Sequence, residues 1–274
     1  MIYDLHVHST KSDGKYDRFE LIKYFIDNNF EYACFTDHNY ISNLNVYNSF
    51  IEKYSNSKLK LINGVEFDIQ NFKKMHILGY GIKDIKKVEN ILTSLEKENI
   101  EICKRLILNL REKYNFDITI EELIKNNKRI SKSSIRDILV TKGYAENHLV
   151  AGNLYTGENS YKYEQKKSLK YEEVIRLIKE SGGIAILAHP STLKLTDEEL
   201  IKLIIELKEI GLDGIEVLNT SKTTSERFDF YRQIAKKYDL LESCGSDFHN
   251  EKNTPNIGIE NEISKKLIYK LKEG

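Results

Sequence analysis

Met1-Ile-Tyr-Asp4-Leu-His6-Val-His8-Ser-Thr10 reads as a strand that carries two imidazoles to one place. Ile2, Leu5 and Val7 favour the strand, and side chains two apart share a face, so Asp4, His6 and His8 point the same way. Two imidazoles at that spacing can reach one metal ion, and Asp4 beside them would fix a ring tautomer from behind. The same His-x-His pattern would also suit a solvent-facing edge strand. The rest of the chain favours the metal: it holds only seven histidines in 274 residues, and further ligand-type residues follow apolar runs or lie within them.

Working outward, the polar loop Ser9–Gly14 ends on the turn signal Asp13-Gly14. Asp17 and Glu20 form a capping box for a helix to about Asn28, with Phe19, Ile22, Phe25 and Ile26 on its buried stripe. Tyr32–Thr36 is a strand that runs into Asp37-His38-Asn39. Strand, helix, strand with polar groups at the strand's C-terminal end is the unit of an α/β barrel. A helix near 42–54 then leads to the strand 59–67, which carries Glu66. An acid in such an apolar run is costly to bury without a metal or basic partner. His76 stands near the start of the next apolar strand.

From about 85 to 170 strand signals vanish and Lys, Glu, Ile and Leu dominate, so a helical insertion is expected. Thr119 with Glu122 is a second capping box, and Gly143 reads as a helix C-terminal cap. Lys128, Arg129, Lys132 and Arg136 would either close over an anionic substrate or form a solvated face. The α/β rhythm then resumes. The strand 184–188 ends on His189-Pro190, the strand 214–218 contains Glu216, and the last strand delivers Gly245-Ser-Asp247-Phe-His249. Asp247 and His249 repeat the spacing of His6 and His8. The domain reading is a barrel from 1–85 and 170–274, with 86–169 as a helical insertion that caps the substrate.

The formal net charge is zero, which gives no long-range pull toward a membrane or long duplex nucleic acid. Cys34, Cys103 and Cys244 are far apart in sequence, as expected of reduced thiols. No apolar run nears the ~18 residues of a membrane span and no leader precedes the first strand, so a soluble cytoplasmic protein is expected. Mixed imidazole and carboxylate ligands suit zinc, iron or manganese better than calcium or magnesium. Nine candidates exceed the needs of one ion, which implies two or three.

Asp4-Leu-His6-Val-His8-Ser, Asp13-Gly, Thr-Asp37-His38-Asn, Gly-Val-Glu66-Phe, His76, Ala-His189-Pro and Gly-Ser-Asp247-Phe-His249 together resemble, in order, the motif series of the PHP (polymerase and histidinol phosphatase) phosphoesterases. The resemblance implies a distorted (β/α)7 barrel with a trinuclear centre. His6, His8, Glu66 and Asp247 would hold one ion, a bridging Glu66 with His76 and His189 a second, and Asp13, His38 and His249 a third. Glu66 and Asp247 would be central to catalysis, and Asp4 and Asp37 would orient ligands from behind. The ions would activate water for in-line attack on phosphorus and neutralise the developing charge.

The insertion's position resembles the branch that removes the 3′-phosphate of nucleoside 3′,5′-bisphosphates and trims short RNA. Two departures bear on the substrate. Ser131-Lys132-Ser133-Ser134 stands where that branch carries Gly-Arg-Pro-His, and Asn39 stands where an Asp is common. Lys132 and Arg136 are the candidate contacts to a second phosphate. Open alternatives are a histidinol-phosphate phosphatase, or another small phosphomonoesterase, and a metal-bound nucleotide-binding module without turnover.

Overall fold

The structure, a computed structural model, describes residues 1–54, 57–126, 130–252, 254 and 256–273, and the side chains of all these but 126 and 273. Lys128 and Arg129 therefore lie outside the described residues. The chain divides into two compact units, Met1–Asn90 with Leu169–Gly274, and Ile91–Ser168.

The first unit is built on one eight-stranded sheet: β1 (Ile2–Val7), β2 (Tyr32–Phe35), β3 (Lys60–Asp68), β4 (His76–Tyr80), β5 (Ile184–Leu187), β6 (Gly214–Asn219), β7 (Leu241–Gly245) and β8 (Ile259–Glu260). Its order is β7-β6-β5-β4-β3-β2-β1-β8. β1, β2 and β3 are parallel, as are β5, β6 and β7, whereas β4 runs antiparallel to both its neighbours. The two-residue β8 pairs antiparallel with β1.

Just past β7 the chain returns to β1: the Asp247 amide donates to the His6 carbonyl at 2.8 Å, and the His8 amide to the Phe248 carbonyl at 2.9 Å. These bonds nearly close the sheet into a barrel. The antiparallel β4 and the added β8 are what distort the (β/α)7 pattern. The reversed direction of β4 also puts its start at the mouth where the parallel strands end.

Helices cover the sheet. α1 (Arg18–Asp27) is closed by the expected Asp17/Glu20 capping box. Its Leu21, Ile22 and Phe25 pack with Val7, Ala33 and Phe35 of β1 and β2. With Asp4, His6 and His8 also buried, β1 is covered on both faces, as strands of a parallel barrel are. The expected helix near 42–54 is shorter: a 3-10 turn over Leu44–Tyr47 and a single turn, α2 (Asn48–Ile51).

The second unit takes in most of α3 (Ile85–Tyr114), then α4 (Ile120–Asn126), α5 (Lys132–Thr141) and α6 (His148–Ala151). Leu106, Leu110, Leu123, Ile135 and Leu139 are among its buried core. The Thr119/Glu122 box is formed, and Gly143 follows α5 at φ +74. The barrel unit ends with α7 (Tyr171–Glu180), α8 (Asp197–Ile210), α9 (Ser225–Lys237) and α10 (Lys265–Glu273). Among the described residues no helix is long and apolar enough to cross a membrane.

Candidate metal centre

The ends of β1, β2, β3, β5 and β7 and the start of β4 bring ligand-type side chains to the same mouth. β1 offers His6, and His8 follows the strand directly, both fully buried. Just past β7 come Asp247 and His249. Gly245, before them, lets β7 pass β1, since a Cβ there would stand 2.2 Å from that of His6. Past β2 comes His38, and on β3 Glu66. His189 follows β5. His76 opens β4 and reaches the same mouth only because β4 runs the other way.

Glu66 is the hub. Its Oε1 lies 2.8 Å from His76 Nδ1 and 2.8 Å from His189 Nε2. Its Oε2 lies 3.1 Å from His8 Nε2, 3.4 Å from His6 Nε2 and 3.4 Å from His38 Nδ1. Asp247 Oδ1 completes the inner set at 3.2 Å from His8 Nε2 and 3.4 Å from His6 Nε2. Asp13, more than half exposed, stands 3.3 Å from His249 Nε2, 3.7 Å from His8 Nδ1 and 3.9 Å from His38 Nε2. The polar loop holds it there, with the Lys15 amide donating to the His249 carbonyl at 2.8 Å.

These residues fall into groups whose ligand atoms lie within 4.8 Å of one another: His6, His8, Glu66 and Asp247; Glu66, His76 and His189; His8, Asp13, His38 and His249; and His38, Asp68 and His76. Ligands that share one ion at 2.0–2.2 Å stand about 3.0–3.5 Å apart, the spacing seen in the innermost group. The buried atoms His6 Nε2, His8 Nε2 and Glu66 Oε2 make no hydrogen bond among the described residues although they face one another. Such atoms are costly to bury unless something else satisfies them, and a dication would. The residues present therefore fit divalent metal.

The electrostatics agree. Burial alone would push carboxylates up and imidazoles down. Against that burial, the surrounding imidazoles hold Glu66 and Asp247 well below the usual carboxylate range. The carboxylates in turn push His8 up to about 10, again against burial. Protons and metal ions thus compete for the same nitrogens.

Asp4 does not take the role expected of it. Its fully buried carboxylate accepts from the backbone amides of His6, Ser246 and Gly258, at 3.1, 2.9 and 2.9 Å, and so staples β1 to the chain beyond β7. The ring of His6 is held by Glu216, whose Oε1 is 2.9 Å from Nδ1 and leaves Nε2 facing the centre. Glu216 Oε2 also accepts from the His189 amide at 2.7 Å, fixing a turn in which His189 has φ +24. A buried acid on β6 was open to the same argument that singled out Glu66.

Asp37 is fully buried and accepts from the Ser9 amide, the Ser9 and Ser12 hydroxyls and the Arg18 guanidinium. It therefore anchors the loop after His8, and the Ser12 hydroxyl it holds lies 3.4 Å from His8 Nδ1. Arg18, itself buried, had no signal in the sequence. Lys222, also unforeseen, donates to Asp247 Oδ2. Asp68, two residues past Glu66, was open to the strand-period argument. Lys132 and Arg136 are engaged inside the helical unit. Lys132 Nζ donates to the Glu164 carbonyl and stands 4.1 Å over the Tyr163 ring, and Arg136 Nε donates to Thr156 Oγ1 at 2.7 Å.

A family model described as the PHP domain matches residues 4–217. A 5′-3′ exoribonuclease of Haemophilus influenzae is 28% identical over 90% of this chain and 89% of that protein. A phosphoribosyl 1,2-cyclic phosphate 1,2-diphosphodiesterase of Eggerthella lenta is 27% identical over 94% and 98%. A 3′,5′-nucleoside bisphosphate phosphatase of Chromobacterium violaceum is 24% identical over 90% and 86%.

Proposed function

The chain belongs to the PHP family of phosphoesterases, and on that premise we propose that it removes the 3′-phosphate of nucleoside 3′,5′-bisphosphates or trims short oligonucleotides. Two or three divalent manganese, iron or zinc ions would serve it. The observation that carries this reading is Glu66, one buried carboxylate with an oxygen on each of two ligand groups. His6, His8, Glu66 and Asp247 would hold one ion, Glu66, His76 and His189 the next, and Asp13, His38 and His249, with His8, a third. Divalent ions bound there supply Lewis acidity toward phosphoryl oxygens.

The protein's own groups do the rest. Glu66 holds two ligand groups in one fixed relation, and Glu216 keeps His6 in the tautomer whose Nε2 faces inward. Lys222 brings a cation beside Asp247, where an anionic ester would approach. The names of the exoribonuclease and the bisphosphate phosphatase among the relatives favour nucleotide substrates. That of the cyclic phosphate diphosphodiesterase favours a phosphoribosyl ester as the second reading. The three buried free thiols fit a reducing, cytoplasmic setting.

Chelator-treated protein reloaded with manganese, iron or zinc is expected to bind two or three ions per chain. It should cleave a bisphosphate or short oligonucleotide faster than a cyclic phosphate or histidinol phosphate. Calorimetry should show protons released on binding, and affinity that rises with pH, because the imidazoles must give up protons first. One ion per chain with full turnover would refute the multinuclear centre. A preference for the cyclic ester would select the second reading.

Specificity must come from groups that read the remainder of the substrate. We assign that role to the helical unit, through Lys132 or Arg136 at the capped start of α5, where amide dipoles and cationic charge suit a phosphate. Lys132→Ala with Arg136→Ala should raise KM for the bisphosphate about tenfold or more, the scale of losing one charge-assisted contact. Hydrolysis of p-nitrophenyl phosphate should stay near wild type. Equal losses on both substrates would indicate general damage, and no loss on either would leave Lys132 and Arg136 with only their contacts inside the helical unit.

A further inference from the structure

We propose that Asp68 is a metal ligand, forming with His38 and His76 a further divalent-cation position at the outer edge of the centre. The inference rests on the metal reading above and adds a residue to it. Three facts carry it.

The first is strand period. β1 presents His6 and His8, and the chain beyond β7 presents Asp247 and His249, each pair two residues apart. Glu66 and Asp68 are also two apart, and both lie on β3, so the strand turns Asp68 to the same face as Glu66.

The second is distance. Asp68 Oδ1 lies 3.0 Å from His38 Nδ1 and 3.6 Å from His76 Nε2. Those spacings suit three ligand atoms around one ion, for which about 3.0–3.5 Å is expected. The three atoms lie within 4.8 Å of one another, and all three residues are half-buried, nearer solvent than the innermost group.

The third is that the carboxylate is held in place. Asn39 Nδ2 donates to Asp68 Oδ2 at 2.8 Å, and the Asp68 amide donates to Asn39 Oδ1 at 3.2 Å. The Asn39 amide also donates to the Glu66 carbonyl at 2.8 Å, with Asn39 itself at φ +47. This reciprocal pair fixes Oδ2 and leaves Oδ1 toward the two imidazoles. Only a neutral amide at position 39 allows it, since an aspartate there would set like charges 2.8 Å apart.

Because His38 and His76 each belong to another group as well, and a neutral imidazole ligates one ion at a time, the edge position competes with its neighbours for them and should hold its ion most weakly. The test is metal titration of wild-type chain, Asp68→Asn and Asp68→Ala, read by calorimetry and by the visible spectrum of bound Co²⁺. Both variants should weaken the last ion by at least about tenfold, the lower end of what ligand-shell losses cost. They should change the Co²⁺ absorption and leave the tighter ions unchanged. Asn39→Ala should weaken the same ion less.

Affinities and spectrum identical to wild type would overturn the assignment. So would equal weakening of every ion, which would make Asp68 a brace for the whole strand end. A wild-type chain that binds no divalent ion would refute the function proposed above along with this site. Normal wild-type loading with unaltered variants would refute this site alone.

Discussion

Glu66→Gln is expected to lower phosphoesterase turnover on the order of 10³-fold, the scale of removing a principal preorganised electrostatic group. The substitution keeps the size of the side chain but takes away its negative charge. In wild type that charge faces His76 and His189 through one oxygen and His6, His8 and His38 through the other. A neutral amide can also turn only one oxygen to the site, so one of the two groups would meet an NH₂. Metal content should fall for both inner ions together, while far-UV circular dichroism stays unchanged. Turnover near wild type would refute the bridging role. Loss of one ion alone would show that Glu66 serves a single group.

Arg18→Met is expected to cost about 3–5 kcal/mol of stability, the usual consequence of leaving one member of a buried ion pair alone. At 2–4 °C per kcal/mol that is a fall in Tm of roughly 10 °C. Arg18 and Asp37 have side chains almost wholly buried and 2.8 Å apart. Burial alone would raise the Asp37 carboxyl, and the guanidinium outweighs it and holds the carboxyl below the usual range.

The sign with pH follows. In wild type the folded value is depressed, so the stability from this pair is complete above the unfolded carboxylate range, about pH 4. It is lost as pH falls through the lower folded value. In the variant, burial acts unopposed and the folded value rises. Its penalty is therefore full at neutral pH and shrinks as acid protonates Asp37. Thermal denaturation of the two metal-free proteins at pH 7 and pH 4.5 checks this. A Tm gap that stays constant, or widens in acid, would mean that the pair does not act through charge.

Where the sequence was read well, the reason is strand geometry. Alternation along β1 brings His6 and the adjoining His8 to one side, and turn residues mark where each strand ends and so where Asp247 and His249 begin. The helical stretch and its capping boxes were legible for the same local reason. What local pattern lacks is direction and partner. Nothing in Met75–Tyr80 says that β4 runs against its neighbours, although that alone explains a histidine at a strand's beginning. The inward face of Asp4 was readable, but its choice of three backbone amides over a ring depends on residues 246 and 258. Arg18 finds Asp37 only after α1 packs on β2. Asp68 and Glu216 were within reach of the rules used for their neighbours.

The seam between β1 and the chain beyond β7 joins segments some 240 residues apart in sequence. His6 and His8 leave the ribosome before Asp247 and His249, which follow only after some 240 further residues. At about 5–20 residues per second that interval is roughly 10–50 s. During it, β1 has its parallel neighbour β2 but lacks the segment that completes both its sheet edge and its ligand set. The nascent chain thus carries His6 and His8 on an unsealed strand until Asp247 and His249 have been made. Contacts of this sequence span are slow to form in any chain. Catalytic competence therefore arrives in one late event, and a stalled or shortened message yields a product without its inner site.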